Sequence, residues 1–289
     1  MKTASKIYLA LVFIFLYAPI AVMILISFNS SDSTTQFAGF SLRWYREMLN
    51  DKNTLEALKN TLVLSFCAAV LSTLIGTAAA IGIDGMKRRW VKGAVMSVTN
   101  IPMMNPDIVT GISLMLLFVF AGSVTGVVSF GFATLLIAHV TFDLPYVVLS
   151  VLPKLKQMDK NLPEAATDLG CTPLQSFFKV ELPLIAPGII TGFIMAFTLS
   201  FDDFVISNFT SGSSYETLTI HIYSMIKKSV KPDVYALSTV IFLVILVLLV
   251  FYNFSESSDE RAARKKRDAD KRRSKELRRL RGETKKSKS

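Results

Sequence analysis

An all-α integral membrane protein with six transmembrane helices is the fold class predicted by this sequence, on three observations. Of the 289 residues, 51% are hydrophobic, and the mean hydropathy is +0.45. The apolar residues fall in long uninterrupted runs, and the charged residues lie almost entirely between them. A soluble domain instead mixes the two to build one core under a charged surface. Each run is about 20 residues, enough at ~1.5 Å per residue to cross a hydrocarbon layer of ~30 Å. The runs lack the alternation of barrel strands, so helices that satisfy their own backbone hydrogen bonds are required.

The predicted spans cover residues 7–28, 60–83, 102–121, 130–152, 188–209 and 234–254. Lys2 and Lys6 before the first run could also open a cleaved signal peptide. Its length, with no small-residue cleavage site behind it, favours a retained anchor. The second span is studded with Ala68, Ala69, Ser72, Gly76, Ala78, Ala79, Ala80 and Gly82. Such small residues let helix backbones approach closely, which predicts a central position in the bundle. The sixth span, rich in Val, Leu, Ile and Phe, is expected to face lipid on much of its surface.

Orientation follows from Lys and Arg. With the N-terminus in the cytoplasm, so are Lys87, Arg88, Arg89, Lys92, Lys154, Lys156, Lys160 and Lys179. The opposite side then holds fewer, among them Arg43, Arg46, Lys52 and Lys59, and six spans return the C-terminus to the cytoplasm.

The formal charge of +10 does not point to nucleic acid, because nearly half of the Lys and Arg follow Ser255, beyond the last apolar run. A basic tail beside a span fixes topology or meets anionic lipid. Cys67 falls within a span and Cys171 in the long loop after the fourth, so no disulfide is expected. With only His139 and His221 beside them, no metal site is expected. Nor does any nucleophile–base pair or Gly-rich phosphate loop point to a catalytic residue.

The loop of about residues 154–187 carries the sharpest pattern. Asn161 is a candidate N-cap, Pro163 and Glu164 suit a first helical turn, and Gly170 suits a helix end. A second short helix from about Pro173 to Val180 would close the loop before Pro183. Two short helices joined at a glycine make a compact knob, with Ala165 and Ala166 small enough for a close fit in a groove of another protein.

Glu164-Ala165-Ala166, three residues, Gly170, nine residues, Val180, then Leu182-Pro183 resembles the loop signature of ABC importer permeases. Val180 stands where Ile is usual. Phe40 to Tyr45 and Ala57 to Leu62 resemble the outer loop and the start of the second span in the same family. More narrowly, Ser27-Phe28-Asn29, Asn105 to Val109, Phe197 to Asp203 and Tyr223-Ser224-Met225 resemble the C-type permease of spermidine/putrescine importers.

The resemblance implies a type I importer permease fold in a bacterial cytoplasmic membrane. It implies residues 1–56 as first span and external loop, 57–254 as the transporter domain, and 255–289 as a basic cytoplasmic tail. The implied partners are a second homologous permease, two copies of a cytoplasmic ATP-binding subunit, an extracytoplasmic polyamine-binding protein, and membrane lipid. ATP and Mg would be bound by the partner ATPase, with no cofactor in this chain. Glu164, Ala165, Ala166, Gly170, Leu182 and Pro183 are the implied coupling positions. A permease for another small solute, or a self-sufficient secondary transporter or channel, is the alternative.

Asp202 and Asp203 fall about 20 Å along the fifth span from Gly188, where an ionised carboxylate needs a water-filled path or a partner. A polyamine needs spaced carboxylates for its ammonium groups and aromatic faces for its stem. Asp202 and Asp203 between Phe201 and Phe204 suit that chemistry; capping of a helix break, or pairing with a partner subunit, is the competing reading. Asp143, ahead of Pro145 in the fourth span, is a further pathway candidate. Asp107 is a first-turn residue behind an Asn105 cap and Pro106, and His139 is expected to form an interhelical hydrogen bond. The aromatic segment Phe40 to Leu49 is expected to lie along the membrane interface or to touch the external binding protein.

Overall fold

Backbone that crosses lipid has no water to bond, so each spanning segment closes its own hydrogen-bond ladder. The computed structural model describes residues 3–32, 36–159, 161–228, 232–247 and 249–250, and they form helices with one isolated bridge between Asn29 and Phe40. In order these are α1 (Thr3–Ser27), α2 (Arg43–Asn50), α3 (Lys52–Gly85), α4 (Arg89–Met104), α5 (Asp107–Thr125) and α6 (Phe132–Gln157). Then come α7 (Asn161–Asp168), α8 (Pro173–Ser176), a π-helical turn (Phe177–Glu181), α9 (Leu182–Asp202), α10 (Val205–Thr210), α11 (Leu218–Lys228) and α12 (Pro232–Val247). Five of the described helices are long and apolar enough to cross a membrane, and α12 is a shorter apolar helix where the sixth span is expected. The expected end of that span near Phe254, and the tail 255–289, lie outside the described residues.

The centre of the bundle is α3, α6 and α9. Ala69 and Ala80, Val147, Val148 and Val151, and Ile185 and Ala196 form one buried cluster between them. The small residues of α3 have the expected effect. A Cβ built on Gly76 would lie 2.7 Å from Cγ1 of Val147, closer than side chains pack, so only glycine admits α6 here. A second cluster of Phe118, Ala138, Phe142 and Ile206 joins α5, α6 and α10. By contrast, no residue of α1 from Ile7 to Ile26 is buried.

Several boundaries differ from the sequence reading. The second span begins earlier, because the Asp51 carboxylate accepts the N–H groups of Asn53 and Thr54 and caps α3 ahead of Lys52. The third span begins at Asp107 rather than Pro102. Residues 89–104 are a separate helix that packs Val95 and Met96 on the central cluster. Asn105 therefore ends α4, and Pro106 holds the cap position of α5, its carbonyl accepting from Val109 and Thr110.

The segment Phe40 to Leu49 is helical only from Arg43, and Trp44 is buried rather than laid along the interface. Its indole N–H donates to the Asn29 carbonyl at 2.7 Å. That carbonyl lies just beyond the end of α1, where the helix offers no N–H to take it.

Candidate functional site

The loop after α6 folds as a knob, with two changes from expectation. Asp159, not Asn161, caps α7: its carboxylate accepts the Asn161 N–H at 3.0 Å and its carbonyl the Leu162 N–H at 3.2 Å. Gly170 ends α7 with φ +89°, where the Cys171 N–H reaches the Ala166 carbonyl at 3.0 Å and the Gly170 N–H the Thr167 carbonyl at 2.9 Å. This paired closure requires a left-handed residue after the helix, which is why glycine stands there.

The second change is that the helical run beginning with α8 does not stop before Pro183. The chain stays helical from Pro173 to Asp202, passing Pro183 by way of the π turn. Within that turn the Leu182 N–H bonds Phe177. The wider register ahead of Pro183 accommodates a residue that has no N–H and whose ring would clash with the carbonyl four residues back. Thr172 caps α8 by accepting the Gln175 N–H, and the Ser176 hydroxyl donates to the Pro163 carbonyl, pinning α8 onto α7. Ala166 is buried in this joint, while Glu164, Ala165 and Pro183 are exposed and Leu182 packs on the central cluster. The outer surface of the knob carries exposed Leu169, Leu174 and Phe178.

At the other end of α9 the fifth span breaks, as the capping reading of the aspartates had it, in place of a continuous run to Phe209. Asp202 is the last residue of α9, and Asp203 is extended at φ −68°, ψ 126°. The carboxylate of Asp203 accepts the Ile206 N–H at 3.2 Å and the Ser207 N–H at 2.7 Å, so it starts α10. Its carbonyl accepts the Thr219 hydroxyl of α11 at 2.7 Å. The carboxylate and the carbonyl of Asp203 are thus both engaged within the protein, as a discontinuity at membrane depth requires.

Four of the five proposed pathway residues sort into two groups around this break. Asp143 and Asp203 belong to a buried network: Ser200 donates to Asp143 Oδ2 at 2.6 Å, and His139 lies 3.1 Å from the Ser200 hydroxyl and 3.0 Å from that of Ser207. The second Asp143 oxygen has no hydrogen-bond partner among the described residues, a deficit worth about 1–3 kcal/mol. Asp202 and Phe204 instead line a groove of about 390 Å³ with Thr219, Ile222, Tyr223, Ser238, Ile241 and Phe242. The Phe204 and Tyr223 rings meet there at 4.7 Å. Phe201 joins neither group; it is buried and stacks on Phe197.

Sequence reasoning did not place Tyr223, Thr219 or Ser238 at this groove, because they come from a later segment that only the fold brings back. Ser200 and Ser207 were also missed, although their seven-residue spacing beside a His in a neighbouring span was a usable signal. No group of three or more His, Cys, Asp or Glu among the described residues is placed to hold a metal ion.

Comparison with known proteins agrees with this architecture. The putrescine transport system permease protein PotI of Escherichia coli K12 is 42% identical over 235 residues, covering 81% of this chain and 83% of that protein. The spermidine/putrescine transport system permease protein PotC of the same strain is 38% identical over 243 residues, covering 84% and 90%. Among solved structures, a chain of a bacterial ABC transporter that imports the acidic polysaccharide alginate superposes with a TM-score of 0.67. It covers 88% of this chain and 94% of its own at 14% identity, a likeness of fold alone. The family model of binding-protein-dependent transport system inner membrane components matches residues 72–264, a stretch that takes in the knob, the broken span and the groove. A multi-pass chain with these relatives, this fold and this loop is a member of that family, the inner-membrane permeases of binding-protein-dependent transport systems.

Proposed function

We propose that this chain forms one half of the path by which an ATP-driven importer carries polyamines across the cytoplasmic membrane. The groove beside the break is the observation that carries the substrate class. It offers a carboxylate (Asp202), two aromatic rings (Phe204, Tyr223), two hydroxyls (Thr219, Ser238) and aliphatic walls. An ammonium group can pair with the carboxylate and lie against the rings while a methylene stem packs on the aliphatic side chains. The two named relatives, for putrescine and for spermidine/putrescine, support the same class.

In this reading the knob is the coupling element. Exposed Leu169, Leu174 and Phe178 insert into a groove of a cytoplasmic ATPase, with Glu164 and Ala165 at the contact. ATP with Mg is bound and hydrolysed by two copies of that partner, and a second permease completes the path. A polyamine-binding protein delivers the solute to the outer face, and both termini of this chain lie in the cytoplasm. Asp143 and Asp203 hold the broken span beside the path, and Asp202 meets the solute.

Uptake of labelled putrescine and spermidine by a deletion strain, with and without this chain, tests the assignment. Restored uptake that depends on ATP supports it. Unchanged polyamine uptake with loss of another solute assigns the permease to that solute. Uptake by the purified chain alone, without ATP, makes it a self-sufficient transporter.

A further inference from the structure

We propose that His139 is a positioning residue: it fixes the bend of the broken span and thereby the direction in which Asp202 and Phe204 face the groove. The inference rests on reading that groove as the solute site. His139 is fully buried on α6, and its two ring nitrogens reach opposite sides of the break. Nδ1 lies 3.1 Å from the hydroxyl of Ser200, on α9 before the break. Nε2 lies 3.0 Å from the hydroxyl of Ser207, on α10 after it. One rigid ring thus spans the two half-helices.

Hydroxyl accounting gives the ring a direction. Against an ionised Asp143, Ser200 gives its single hydroxyl proton to Oδ2 at 2.6 Å, so towards His139 it can only accept. Nδ1 therefore carries hydrogen, and in the neutral ring Nε2 accepts the proton of Ser207. The Ser207 N–H is already committed to Asp203 Oδ2, which itself lies 3.6 Å from Nε2. The result is one oriented chain, Ser207 to His139 to Ser200 to Asp143, that ties α10, α6 and α9 together. Without the ring, α10 is held by the Asp203 cap at its start, by the Thr134 hydroxyl on the Thr210 carbonyl at its end, and by its packing. Asp202 immediately precedes that cap and Phe204 immediately follows it, so a change of bend re-aims both, together with the 4.7 Å Phe204–Tyr223 contact.

Nitroxide labels at Ile190 on α9 and Asn208 on α10, both exposed, read the bend directly. They are placed in the assembled importer after Cys67 and Cys171 are replaced by Ser. A single narrow distance distribution is expected for the parent chain, broadened by His139→Ala and, independently, by Ser207→Ala. The KM for putrescine uptake should rise about tenfold in each variant while the saturated rate changes less than about threefold, the split of a mis-aimed binding site and not of lost protein. Combining the two substitutions should cost little more than His139→Ala alone, because both cut one link. Unchanged narrow distributions, or effects that simply multiply, overturn the proposal. Ser207→Ala carries the test if His139→Ala fails to fold. The label distances report the bend whatever solute is carried, so a failure of the polyamine reading is seen separately.

Discussion

Gly76 of α3 and Val147 of α6 meet so closely that a single added carbon on the glycine would sit 2.7 Å from the valine Cγ1. Valine is stiff at χ1 and cannot swing away, so the helices themselves must part. Gly76→Ala should cost about 1–3 kcal/mol of stability, read as a lower thermal unfolding midpoint in detergent. Gly82, on the same helix with nothing within 4 Å of its added carbon, is the control. Gly82→Ala should be neutral or stabilise by up to about 1 kcal/mol through helix propensity.

The left-handed closure at Gly170 gives a second test. Gly170→Ala should strain the end of α7 by about 1–2 kcal/mol, and Gly170→Asn by less, since asparagine tolerates that backbone. Recovery of the ATPase in pull-downs through this chain, and ATP-driven uptake, should fall in the order Gly, Asn, Ala. Equal recovery with all three would remove the knob from the coupling role.

Neighbouring aspartates should fail differently. Asp202→Asn removes a charge from the groove wall and should raise the KM for polyamine at least tenfold while leaving the unfolding midpoint in place. Asp203→Ala removes the acceptor of two backbone N–H groups and should lower that midpoint, at a cost of about 0.5–2 kcal/mol. Matching phenotypes would mean that the two carboxylates share one role.

Acid should weaken the N-terminal end of α3. Hydrogen bonding from Thr54 holds the Asp51 carboxyl below its ordinary value, against partial burial that opposes it; the N–H groups of Asn53 and Thr54 and the nearby His221 add to the lowering. A lowered folded value means that the stabilisation is complete above the unfolded value of about 3.9 and is lost as pH falls through the folded one. The difference in unfolding midpoint between the parent chain and Asp51→Ala should therefore be full at pH 6 and shrink as pH falls below about 4.

What could be read from the sequence was whatever is written locally. Long apolar runs located the spans, the small-residue face of α3 put it at the centre, and Gly170 marked the end of α7. What could not be read depended on competition between local and distant partners. Hydropathy sees residues 188–209 as one span, since a single capping aspartate barely lowers the average. The break appears only because Asp203 can bond Ile206 and Ser207 while Thr219 takes its carbonyl. Phe201 and Phe204 looked equivalent beside the aspartates, but the break turns one into the core and the other towards the groove. Pro183 read as a stop, because a proline normally ends a helix and a widened turn leaves no trace in composition.

That widened turn has a geometric consequence. A π turn is in effect one extra residue in an α-helix, and each residue advances an α-helix by ~100° about its axis. The turn at Phe177–Glu181 therefore sets the angular phase between α8 and Asp202, the two ends of a single 30-residue helix from Pro173. Removing one residue there would leave the helix nearly as long and Asp202 seated in its bundle. The face that α8 presents would be turned by more than a quarter of a circle.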